Sequence, residues 1–217
     1  MFNWKDISMA GIIILAIAFF SLKKSTLQAS IYSQENKASN YISQDENSVK
    51  IVSENTYTEL KETSLINWIS FNEAYVKCKK NPRPILVDIY TNWCGPCKLM
   101  SSQTFNNPSI ANYINNNFYA VKFDAECKDT VKFDKYVFVS SDVTNVKAPH
   151  QFAASILDNQ LAYPSIVFLS NQIQRLDIIK GFQPAHSFEP ILNYYGSGDY
   201  QKTKWEEYQK SFISTIK

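Results

Sequence analysis

The chain has 217 residues with 45% hydrophobic and 14% aromatic content, enough for one well-filled core plus flanking segments. Its formal net charge is +2, and the lysines are scattered, which excludes the basic footprint of a nucleic-acid-binding domain. The densest basic group, Lys77, Lys79 and Lys80, reads as the solvated end of a helix.

From the N-terminus, Ile7–Leu22 is a nearly uncharged apolar run. As a helix it would span roughly 24 Å at about 1.5 Å per residue. That is short against a hydrocarbon core about 30 Å thick and ample for the apolar region of a signal peptide. Residues 1–24 are therefore expected to be a signal or membrane anchor, with Leu27-Gln28-Ala29 a mediocre cleavage site. Lys23 and Lys24 outnumber the charge before the run and favour the opposite topology. Ser25–Thr63, rich in Ser, Asn, Gln, Glu and Lys, reads as a polar tether with too little apolar surface to fold. A domain held this way is expected to work outside the cytoplasmic membrane.

Ser70-Phe71-Asn72-Glu73 fits a capping box. Phe71, Ala74, Tyr75 and Cys78 follow at helical spacing, which makes Cys78 a small buried hydrophobe rather than a reactant. Pro82 and Pro84 end this helix, and Ile85–Tyr90 has the continuous apolarity of a fully buried strand. Asn107-Pro108 opens a helix with Ile110, Tyr113 and Ile114 on its apolar face. Tyr119–Asp124 is a second core strand. In Cys127–Val146 the residues Val131, Phe133, Val137 and Val139 predict an inserted hairpin. Pro149–Asp158 is a helix with Phe152, Ile156 and Leu157 inward. Ser165–Leu169 and Arg175–Ile179 form an antiparallel pair, and Pro184–Tyr195 is a closing helix. Thr203 caps one more helix carrying Trp205, Tyr208 and Phe212, which makes 64–197 the main domain and 198–217 an appendage. The order is that of an α/β fold.

The chemistry centres on Trp93-Cys94-Gly95-Pro96-Cys97-Lys98, between the first strand and a helix. With the helix starting here, Cys94 lies at its first turn, where free N–H groups and the helix dipole favour a thiolate. Cys97, one turn on, can resolve a mixed disulfide. The competing readings are a zinc knuckle and two buried thiols. Zinc commonly takes four N/S ligands, and here Cys78, Cys127, His150 and His186 stand at no knuckle spacing. Both histidines look incidental, each beside a helix start. Asp88 inside the apolar strand is either a satisfied structural carboxylate or a proton acceptor with a pKa raised by burial.

Val87–Lys98 resembles the active-site stretch of thioredoxins, including the Cys-Gly-Pro-Cys core. Ala162-Tyr163-Pro164-Ser165-Ile166-Val167-Phe168-Leu169 resembles that family's cis-proline loop and next strand. The resemblance covers roughly Ser64–Tyr195 and implies a thioredoxin fold, a mixed sheet flanked by helices. It implies Cys94 as nucleophile, Cys97 as resolving thiol in a redox disulfide, and Asp88 as acceptor of the Cys97 proton. Pro164 becomes the cis-proline facing the cysteines, the Tyr163 backbone a partner for an extended substrate, and Trp93 part of the contact surface. Gly95 and Pro96 shape the turn, and their dipeptide belongs to the reducing members. Three departures stand out: Lys122 looks out of register for the lysine of the next core strand, the Cys127–Val146 insertion is extra, and Tyr163 is bulky.

The expected activity is thiol–disulfide oxidoreduction, with protein disulfides as substrates and an upstream electron donor as partner. No metal or cofactor is implied, and a periplasmic monomer is expected. The alternatives are a disulfide oxidase or isomerase, a non-catalytic assembly module using the same groove, and a copper or zinc chaperone.

Overall fold

A computed structural model of the chain describes residues 64–216. The expectations for residues 1–63, a signal or anchor and a polar tether, lie outside the described residues. Among those described, no helix is long and apolar enough to cross a membrane.

Helix α1 (Phe71–Lys80) starts at Ser70, whose hydroxyl accepts from the Glu73 N–H. Only this half of the capping box forms; the Glu73 carboxylate pairs with Lys77 at 2.8 Å instead. Strand β1 (Ile85–Tyr90) follows, then α2 (Gly95–Leu99), which continues into a π-helical stretch over Met100–Phe105. Helix α3 (Pro108–Asn117) is capped by the Asn107 side chain, which accepts from the Ser109 and Ile110 N–H groups. Strand β2 (Tyr119–Asp124) leads to a hairpin of β3 (Val131–Phe133) and β4 (Tyr136–Phe138), then α4 (Gln151–Ile156). Strands β5 (Ser165–Leu169) and β6 (Arg175–Lys180) precede α5 (Ala185–Gly196) and the short α6 (Trp205–Ser211).

The main sheet runs β2-β1-β5-β6, with β1 and β2 parallel and β5 antiparallel to both its neighbours. Helices cover both faces, so β1 is buried from Ile85 to Ile89. Val87 and Ile89 pack with Phe71, Val121, Phe123 and Phe152 on one side. Leu86 packs with Met100, Ile114, Ile166 and Phe188 on the other. This mixed sheet between helix layers is the thioredoxin fold.

The inserted hairpin forms as expected, and the structure revises two other readings. In the hairpin, Val131, Phe133 and Phe138 are buried, and Val137 is 61% exposed. A two-residue turn with Asp134 at φ 54° pairs Phe133 with Tyr136 and Val131 with Phe138. Opposed residues share a face, so Val137 follows Lys132 outward. Thr203 does not cap α6: its carbonyl accepts from the Tyr194 hydroxyl at 2.7 Å, and Lys204 precedes the helix without a side-chain cap. The aromatic stripe still forms, with the rings of Trp205 and Tyr208 5.3 and 5.0 Å from Tyr194.

His150 is not incidental. It is fully buried, its Nδ1 accepts from the Phe152 N–H at 3.1 Å, and its Nε2 lies 2.7 Å from the Asp129 carbonyl. The first bond assigns the proton to Nε2, which donates to Asp129. The ring thus caps α4 and fastens the insertion to it, edge-on to Phe123 at 5.2 Å.

Candidate active site

Parallel pairing brings the loops after β1 and β2 to the same edge of the sheet, where the Ala125 N–H donates to the Tyr90 carbonyl at 2.8 Å. The turn Thr91–Trp93 delivers Cys94 to the N-cap of α2. Cys94 and Cys97 form a disulfide, with Cα atoms 5.3 Å apart, and the Cys94 sulfur accepts from the Cys97 N–H at 3.2 Å. The sulfur thus sits where a helix's first N–H groups converge, the setting that stabilises a thiolate once the bond is reduced. Cys94 is 3% and Cys97 7% exposed. Gly95 and Pro96 between them are exposed, and a Cβ on Gly95 would meet nothing within 4 Å, so space above the disulfide is open.

On the outer side stands Trp93, 60% exposed. Its indole N–H donates to the Glu126 carboxylate oxygens at 3.0 and 3.1 Å. The Asn92 amide donates to Asp124 at 2.9 Å, and the other Asp124 oxygen accepts from the Glu126 N–H at 2.9 Å. The Trp93 ring meets Tyr163 edge-on at 6.2 Å. Tyr163 is half-buried; burial, helped by Glu126 and Asp124, pushes its phenol up to about 12, so it stays neutral. The Tyr163–Pro164 peptide is cis, and Pro164 is buried. Glu126 escaped sequence reasoning because 33 residues separate it from Trp93; only the parallel register joins them.

On the inner side lies Asp88, 3% exposed, with its Oδ1 lacking any hydrogen-bond partner. Burial lifts its carboxyl to about 7, against the pull of the Lys122 ammonium. No protein group satisfies the Asp88 Oδ1, which leaves it open to water from the cavity side. Lys122 is not out of register: it pairs directly with Asp88 across β1 and β2. A cavity of about 450 Å³ opens here, lined by Asp88, Tyr90, Thr91, Cys97, Ser101 and Lys122. Its volume is large enough for water, and both Cys97 and Asp88 line it. The buried Thr91 hydroxyl also lacks a partner.

The other two cysteines are free. The buried Cys78 thiol lies within hydrogen-bonding distance of the Arg83 and Asn171 carbonyls, at 3.2 and 3.4 Å. Cys127 is half-buried, and burial pushes its thiol up. Among the described residues, no group of three or more His, Cys, Asp or Glu side chains is placed to share a metal ion.

A redox-type cysteine pair at the head of a helix, on this sheet order, defines the class: a thioredoxin-fold protein with a thiol–disulfide oxidoreductase-like site. The chain belongs to the Thioredox_DsbH family, described as "Protein of unknown function, DUF255", which it matches over residues 46–176. It is 36% identical over 62 residues to an uncharacterized protein of Caenorhabditis elegans, covering 28% of this chain and 8% of that one. It is 24% identical over 115 residues to the thiol:disulfide interchange protein DsbD of Pectobacterium atrosepticum, covering 52% of this chain and 16% of DsbD. The chain thus spans less than a fifth of the length of these curated relatives. A thioredoxin-fold protein from Helicobacter pylori shares 21% identity at a TM-score of 0.47, covering 64% of this chain and 91% of that one.

Proposed function

We propose that this protein reduces protein disulfides through a Cys94/Cys97 dithiol–disulfide cycle. The observation that carries the reading is the Cys94–Cys97 pair at the head of α2 with the buried Asp88 carboxylate behind it, its Oδ1 without a hydrogen-bond partner.

In the reduced protein the Cys94 thiolate attacks one sulfur of a substrate disulfide, forming a mixed disulfide and releasing the other substrate sulfur as thiolate, which takes up a proton. Cys97 then gives its proton through water in the cavity to Asp88 and attacks the Cys94 sulfur. The Cys94–Cys97 bond forms, and the second substrate thiolate leaves. Two electrons pass to the substrate, and an external dithiol restores them. The near-neutral carboxyl of Asp88 suits a group that must accept and return a proton. Trp93, Tyr163 and Pro164 form the docking surface, where the Tyr163 backbone pairs with an extended substrate. Gly95 and Pro96 keep the approach open.

In this reading residues 1–24 target or anchor the chain, residues 25–63 tether residues 64–197, and the site works on the periplasmic side of the cytoplasmic membrane. The support is sequence character alone: the apolar Ile7–Leu22 run and the polar segment after it. Alkaline phosphatase fused after Tyr195 should be active; fluorescence from a cytoplasm-only reporter without phosphatase activity would place the site inside. The chemistry is tested with Cys97→Ser, which should arrest substrates as mixed disulfides on Cys94. Capture that persists in Cys94→Ser/Cys97→Ser would remove Cys94 as the nucleophile.

A further inference from the structure

The charge facing Asp88 is held by neighbours that the cycle above does not use. The Lys122 ammonium donates to the Ser101 hydroxyl at 2.9 Å. It also lies over the Tyr90 ring at 5.1 Å and the Trp68 ring at 5.8 Å. Trp68 is itself fixed, its indole N–H donating to the Ser64 hydroxyl at 2.9 Å and its ring edge-on to Phe105 at 5.1 Å. The ion pairs among the described residues are Glu73–Lys77, Asp158–Arg175 and Asp199–Lys202. Asp88 and Lys122 form none, although they are direct register partners. Opposite charges at facing positions of adjacent strands attract one another. Here three groups hold the ammonium to one side.

Ser101 owes its place to the backbone. It is the second residue of the π-helical stretch that takes over from α2, and π-turns of this kind gather at functional sites. The stretch begins three residues after Cys97, so one continuous segment carries both the resolving sulfur and the hydroxyl that holds Lys122.

We infer that Ser101 is a positioning residue: with Tyr90 and Trp68 it keeps the Lys122 ammonium out of hydrogen-bonding contact with Asp88, so that the carboxylate stays free to take the Cys97 proton. The ammonium then acts on Asp88 through space only. The other titratable groups around Asp88 are Tyr90 on its own strand and Cys97 and Lys98 on α2, all lining the same cavity. Its partner on β5, Ile166, carries no charge.

The inference extends the proposed redox cycle, and its first test does not depend on that cycle. The Asp88 carboxyl is titrated by carbon-13 NMR in the full-length oxidised protein, with no substrate present. Ser101→Ala frees Lys122 to close on Asp88, so the midpoint should fall by about one unit or more. Lys122→Met removes the charge and should raise the midpoint. Ser101→Thr keeps the hydroxyl and should titrate like the wild type. A midpoint in Ser101→Ala that is unchanged or raised overturns the inference, as does Ser101→Thr titrating with the alanine variant. In single-turnover reduction, the pH midpoint of the Cys97 step should move in the same directions, with the rate of Cys94 attack unchanged. If the wild-type protein shows no turnover, the redox reading fails, and the NMR titration still judges Ser101.

Discussion

The two sides of the Cys94–Cys97 disulfide are built on opposite rules. Outside, a run of polar side chains is bonded together: Trp93 with Glu126, Asn92 with Asp124, Asp124 with the Glu126 N–H. Inside, the Asp88 Oδ1 and the Thr91 hydroxyl have no partner. Satisfied polar groups fix geometry, and unsatisfied buried ones hold a capacity to bind a proton or water at a cost in stability. In the proposed cycle the outer side serves as a shaped surface and the inner side as a proton reservoir. Disturbing the first should alter recognition, and disturbing the second should alter proton transfer.

The largest expected effect lies at the junction of the two sides. Cys94→Ser should abolish turnover of a protein disulfide supplied with dithiol; retained activity would exclude Cys94 as nucleophile.

Next comes the inner side. Asp88→Asn should slow resolution of the mixed disulfide by roughly 10²-fold, the order of a lost general base, while initial attack stays within a few-fold. Equal slowing of both steps contradicts the role. The same variant carries a stability signature. The Asp88 carboxyl keeps its proton to about pH 7 in the fold but only to about 3.8 in the unfolded chain. The unfolded state therefore binds fewer protons between those values, and wild-type stability falls as pH rises through that window. At roughly 1.4 kcal/mol per unit, the advantage of Asp88→Asn over wild type should grow by about 3–4 kcal/mol between pH 4 and pH 8. Urea midpoints at the two pH values measure it.

A structural change of intermediate size is expected at His150. His150→Ala removes an α4 cap, the bond to Asp129 and a buried ring, and should cost about 2–4 kcal/mol in urea unfolding. Burial holds the wild-type ring below its ordinary pKa, so the unfolded chain takes up the proton first on acidification. This contribution is full above about pH 6.5 and is lost as pH falls below that; the alanine variant should lack that acid limb.

The outer side should give the smallest effects. Glu126→Gln weakens the hold on Trp93 and should raise KM a few-fold with kcat little changed. A fall in kcat at constant KM would place Glu126 on the proton side instead.

The strands and helices were legible because buried strands read as short apolar runs and because caps such as Asn107 sit beside their helices. Ile85–Tyr90 and Tyr119–Asp124 begin and end where their apolar runs do. The cysteines and Asp88 were legible for the same local reason. Lys122 and Glu126 were not, because their placement arises from pairing two strands that are distant in sequence, and Ser101 was not, because a π-helical turn sets its place. One residue of register decides whether Lys122 faces Asp88 or turns away. His150 was missed because a buried imidazole with both nitrogens bonded looks, in sequence, like any histidine near a helix start. The hairpin itself was legible from its alternation, but which face β4 buries was not, because a two-residue turn sets it.

The most direct measurement is the single-turnover rate of mixed-disulfide resolution against pH, in wild type and Asp88→Asn. The account predicts a wild-type rise with a midpoint near 7, governed by Asp88, that is absent in the variant. A rise of the same midpoint and amplitude in Asp88→Asn would contradict it.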